Sequence, residues 1–72
     1  MKVSSNNFLR ENIRKYRKKK GLSQDRLTKM ADITLTTLVK IENGINDNPT
    51  LNTLTKLADA LDVSIADLIK KK

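Results

Sequence analysis

Apolar residues recur along most of this chain at the spacing of one helical face. Leu9, Ile13, Tyr16 and the stem of Lys20 fall at i, i+4, i+7 and i+11, which predicts a first helix over about 7–20. Ser5 or Asn7 is its candidate cap, and Gly21 supplies a C-terminal stop after lysines that suit the negative helix end. A second helix over 23–31 opens at Ser23, carries Asp25 in its first turn and presents Leu27, Met30 and Ala31. Asp32 ends it, since Asp tolerates a left-handed backbone. The loop "INDNP" precedes a fourth helix over 50–61, capped by Thr50, with the stripe Leu51, Leu54, Leu57, Ala58 and Leu61. A fifth, over 64–70, starts with the capping-box pair Ser64 and Asp67 and carries Ile65, Leu68 and Ile69.

The stretch "TLTTLVKIENG" between the second and fourth helices breaks the pattern. Five of its first eight residues are β-branched, a strand-like composition. A lone strand among four helices would leave its backbone donors and acceptors unpaired. A helix over 34–43 is therefore expected, with tertiary packing overriding local preference. Thr34 caps it and Asn43-Gly44 stops it. At 100° per residue, Leu38, Ile41 and Ile45 share one side with Thr34, which enters the core. Leu35, Thr36, Val39, Lys40 and Asn43 share the other, which faces out. The fold class is all-α.

Seventy-two residues make one small domain, divided here into an N-terminal arm (1–6), a helical domain (7–70) and a basic tail (71–72). The chain has neither Cys nor His, so disulfides, zinc sites and His-based catalysis lack their usual parts. No catalytic constellation is visible, and no enzyme activity, cofactor, metal or small-molecule ligand is expected. The apolar runs are too short to span a membrane, and "MKVSSNN" lacks a signal-peptide core, so the expected location is cytoplasmic. Fifteen basic against eight acidic residues give a net charge of +7, the footprint of a polyanion binder or simply of a soluble domain. Seven of the basic residues lie between Arg10 and Lys20.

The combination of "GLSQ" opening the second helix, "IENG" ending the third and "NPTLNTLTKLADALDVS" after it resembles the lambda-repressor-like, XRE-type helix-turn-helix proteins. The resemblance covers residues 8–69. It implies a compact five-helix domain in which helix two braces the DNA backbone and helix three lies in the major groove. It also implies a bacterial or phage-type setting.

Carried over residue by residue, the resemblance assigns base reading to Leu35, Thr36, Val39 and Lys40. It assigns a phosphate contact to Gln24 and places Thr37 at the flank for another; Ser23 is mainly a cap with a phosphate contact open to it, Asn43 and Asn46 can donate to phosphates, and Lys20 belongs to the basic cluster leading into helix two. A structural ion pair is implied between Arg17 and Glu42, with a phosphate contact from Arg17 as the alternative. Three positions depart from the family pattern. Leu35 and Val39 stand where base-bonding polar residues are common; they either touch thymine methyls or pack against protein. The loop after Gly44 has Ile45, Asn46 and Asp47 in place of cations. Thr28 replaces a small residue at a tight helix crossing. The resulting expectation is a small repressor of double-stranded DNA, binding a palindromic operator as a homodimer, with Ile65, Leu68 and Ile69 either forming the dimer surface or packing within the monomer. The rival is a protein-interaction module, such as an antitoxin or adaptor, built on the same fold.

Overall fold

The computed structural model describes residues 6–70, with side chains from residue 8 onward. Five helices follow in order: α1 (Asn6–Lys19), α2 (Gln24–Ala31), α3 (Leu35–Glu42), α4 (Leu51–Leu61) and α5 (Ile65–Ile69). Among the described residues there is no strand, so the β-branched stretch is the helix α3. No described helix is long and apolar enough to cross a membrane.

Side chains placed at each entry explain why the helices begin where they do. Ser23, Thr34, Thr50 and Ser64 have extended backbones, and the side-chain oxygen of each accepts from the N–H three residues on. At Ser64 the box is reciprocal, because the Asp67 carboxylate accepts from the Ser64 N–H at 3.1 Å. Helices α2 and α4 both end in a left-handed aspartate, Asp32 (φ 58) and Asp62 (φ 63). Helix α1 already includes Asn6 and Asn7, so Asn7 is not its cap; Ser5, the rest of the arm and residues 71–72 lie outside the described residues.

Leu9, Ile13, Leu27, Ala31, Leu38, Ile41, Leu57, Ala58, Leu61 and Leu68 form the core, with contributions from all five helices. Tyr16 packs against it from α1 with its ring half-buried, and the Lys15 ammonium lies 5.6 Å from the ring centroid. Lys20, expected at the end of the α1 stripe, is exposed. Three other apolar residues assigned to inner faces also point outward: Met30, Ile45 (72% exposed) and Leu51 (68% exposed). Ile45 follows the stop at Gly44, where the helical phase no longer applies. Leu51 occupies the first position of α4, beyond the reach of the core.

Two polar side chains take inner places. Thr28 is buried on α2 and satisfies its hydroxyl by donating to the Asp25 carbonyl at 2.7 Å. Asn12 is buried on α1 and donates its amide to the carbonyls of Leu68 (2.9 Å) and Lys70 (2.8 Å). These carbonyls lie at the end of α5, where a helix has no internal donor left to offer. Asn12 therefore fastens the last helix to the first.

Candidate nucleic-acid interface

Helices α2 and α3 are joined by Asp32, Ile33 and Thr34 alone. The left-handed Asp32 reverses the chain, and the Ile33 N–H returns to the Thr28 carbonyl at 3.1 Å. Thr34 then opens α3. Its Oγ1 accepts from the Thr37 N–H at 3.1 Å and lies 2.8 Å from the Thr37 hydroxyl. Leu38 and Ile41 are fully buried and set the roll of α3 about its axis.

That roll leaves Leu35, Thr36 and Lys40 exposed, with Val39 half-buried beside them. These four base-reading candidates thus share the outer part of α3, although Val39 is the least accessible. Thr37 is half-buried at the flank and its hydroxyl is engaged in capping.

Below α3 lies a hydrogen-bonded knot. Glu42 is 3% exposed, and its carboxylate receives Arg17 in a two-point grip, Nε to Oε2 at 2.8 Å and Nη2 to Oε1 at 3.0 Å. The remaining guanidinium arm donates to the Leu22 carbonyl at 2.9 Å. Gln24 Nε2 donates to Glu42 Oε1 at 3.0 Å. One carboxylate therefore ties α1, the turn after it, the start of α2 and the end of α3. Gln24, assigned above to phosphate alone, is half-buried and commits one amide hydrogen to this knot. Its carbonyl oxygen makes no hydrogen bond among the described residues, and the side chain bridges α2 to α3.

Ser23 is exposed and its hydroxyl caps Arg26 N–H at 3.0 Å. Lys20 is exposed just past α1. Between them and α2 is a shallow depression of about 450 Å³ lined by Gly21, Leu22, Ser23, Asp25, Arg26 and Lys29. Arg26 was missed by the sequence reading; its place three residues after the Ser23 cap puts it over the same first turn and was signal enough. Lys29 is partly neutralised by Asp25 at 3.3 Å. At the far end of α3, Asn43 is exposed, and the Asn46 N–H folds back to the Lys40 carbonyl at 3.0 Å. The Asn46 carbonyl oxygen accepts from the Asn48 N–H at 3.1 Å, leaving its amide hydrogens for other acceptors.

The three residues expected to form a dimer surface do not share one. Leu68 is fully buried in the core, and Ile65 packs partly against it; Ile69 alone is exposed. Three apolar residues on a five-residue helix looked more than packing needs, but α5 closes the core beneath α1 and uses two of them.

The helix-turn-helix family model (HTH_3) matches residues 13–68. The chain belongs to this family. Its helix-turn-helix segment is also similar to curated relatives. It is 36% identical over 62 residues to the HTH-type transcriptional regulator SinR of Bacillus licheniformis and, to the same extent, to SinR of Bacillus subtilis. It is 38% identical over 56 residues to SlrR of Bacillus subtilis. These alignments cover 86% of this chain and 56% of SinR, and 78% of this chain and 37% of SlrR. The chain thus spans about half the length of the SinR relatives it matches. The fold superposes on the N-terminal DNA binding domain of SinR with a TM-score of 0.87 at 34% identity, covering 90% of this chain and 94% of that one. A crystal structure of SinR in complex with DNA matches with a TM-score of 0.84 at 34% identity, covering 86% and 98%. In helix-turn-helix proteins the second helix of the motif is the one that lies in the major groove, and α3 holds that place in the chain order here.

Proposed function

We propose that this chain binds double-stranded DNA in a sequence-specific way and acts as a transcriptional regulator, a repressor by operator occupancy. The observation that carries the reading is the roll of α3: Leu38 and Ile41 are buried, Glu42 is locked from below, and Leu35, Thr36 and Lys40 are left outward. The likeness to a SinR structure in complex with DNA supports it. Lys40 reaches guanine or a phosphate, and Leu35, Thr36 and Val39 meet thymine methyls. Ser23, Lys20 and Arg26 hold one backbone at the start of α2, where free helix N–H groups add their own attraction for phosphate. Asn43 and Asn46 hold the other backbone. Thr37 supports from the flank.

One such helix reads few base pairs, so two protomers on a palindromic operator are part of the proposal. The reading is of a binding protein and not an enzyme, at work beside the DNA in a bacterial cytoplasm. The exposed Leu35 favours the second reading, a face that binds another protein. Selection of bound sequences from a random duplex pool at fixed salt tests both. A recovered palindromic motif is expected. No binding to duplex at low salt would remove the DNA reading and leave the protein-binding one.

A further inference from the structure

Arg10 brings a cation to the end of α3 from α1. No Lys or Arg occurs between Lys40 and Lys56, and the loop that follows α3 contains Asp47 instead. A phosphate flanking the C-terminal end of α3 would find no positive side chain in that segment. Arg10, on the first part of α1, lies against this loop. A Cβ placed on Gly44 would sit 3.0 Å from Arg10 Nη1, 3.6 Å from Cδ and 3.7 Å from Cζ. Gly44 also has φ +82, so the same residue permits both the stop of α3 and the close approach of the guanidinium.

The Arg10 guanidinium has unspent donor capacity. Its Nε is buried and has no hydrogen-bond partner among the described residues. That atom is sealed from solvent, so a phosphate would be met by the terminal Nη1 and Nη2 groups, neither of which bonds a protein acceptor among the described residues. The contrast with Arg17 is direct. Arg17 uses Nε, Nη1 and Nη2 on protein acceptors, and its charge is matched by Glu42.

We propose that Arg10 delivers from α1 the phosphate contact that the α3–α4 loop has no cation to make, with the guanidinium seated against Gly44. The acceptor is a phosphate oxygen of the DNA strand beside the C-terminal end of α3, so the inference rests on the DNA-binding reading above. A planar guanidinium suits this place because it can stack on the loop backbone and still present a two-point fork to a phosphate.

The experiment measures duplex affinity against salt for the wild-type chain, Arg10→Gln and Arg10→Lys. Each lost phosphate contact lowers the slope of log K against log salt by about 0.9. Arg10→Gln is expected to lose that increment and to weaken binding equally for all duplex sequences; Arg10→Lys is expected to keep the slope. An Arg10→Gln slope equal to wild type overturns the proposal, including where its melting temperature falls, since that describes structural support alone. A second reading uses the unaltered chain. The Arg10 Nε–H resonance of ¹⁵N-labelled protein is expected to shift when duplex is added, and an unmoved resonance overturns the proposal even if Arg10→Gln does not fold. Failure of the wild-type chain to bind duplex at low salt removes the DNA reading and this inference with it, whereas binding with an unchanged Arg10→Gln slope removes this inference only.

Discussion

Arg17 Nε lies 2.8 Å from Glu42 Oε2, across 25 residues of chain, at the point where α1 meets the end of α3. Their side chains are 12% and 3% exposed, so neither charge is well served by water. Removing one partner from a buried pair costs about 3–5 kcal/mol, because the other charge is left stranded. Glu42→Ala also strips Gln24 of its acceptor. For a domain of this size the melting temperature of Glu42→Ala is expected to drop by 10 °C or more, on the order of 4–8 °C per kcal/mol. A melting curve that overlays wild type would show the pair to be structurally idle.

Asn12 offers a test of how α5 is held. Asn12→Ala leaves the Leu68 and Lys70 carbonyls without their donor, at a cost of about 2 kcal/mol. The expected signature is local. Amide hydrogen exchange should accelerate in residues 65–70 more than in α2 or α3. Uniform acceleration across all helices would instead mean that the clamp serves the whole fold.

The outer face of α3 separates specificity from attraction. Leu35→Ala and Val39→Ala remove methyl contacts worth roughly 1 kcal/mol each, about fivefold in preference at one position. They are expected to relax selection for A·T pairs while leaving low-salt affinity for random duplex intact. Lys40→Ala is expected to lower affinity and reduce the salt slope by about 0.9. Selected motifs identical for wild type and the double Leu35→Ala, Val39→Ala variant would exclude methyl reading.

Acid should loosen the start of α5 in a defined direction. The Ser64 N–H and then the Ser64 hydroxyl hold the Asp67 carboxyl below its ordinary value; desolvation opposes them, and Lys70 adds a lesser push downward. A carboxyl whose folded pKa is depressed adds stability that is complete above its unfolded pKa and fades as pH falls through the folded one. Wild type should therefore lose melting temperature on acidification in that window more steeply than Ser64→Ala. Parallel acid limbs for the two proteins would contradict the assignment.

The five helices were legible because caps and stripes agree, whereas the reading of the outer α3 face as a DNA interface came from the resemblance carried by "GLSQ" and "IENG". Ser23, Thr34, Thr50 and Ser64 stand one residue before the helices they open, and Leu27, Leu38, Leu57 and Leu61 fall on the expected inner faces. Periodicity failed at helix ends, where Ile45 and Leu51 leave the helical phase or the reach of the core. It also failed on α5, because an apolar triad on a short helix looks the same whether it faces a partner or a core; only the position of α1 decides for Leu68. The roles of Asn12 and Gln24 were out of reach for another reason. Both answer to acceptors distant in sequence, at Leu68 and Lys70 in one case and Glu42 in the other.

Tyr16 gives the molecule a single optical reporter. The chain has one tyrosine and no tryptophan, and that tyrosine is seated half-buried between α1 and the core. Its emission and near-ultraviolet absorbance therefore watch one seam only. Tyrosine fluorescence reports the seating of α1, while far-ultraviolet dichroism reports all five helices, so a variant in which the two signals melt apart has lost helix before α1 leaves the core.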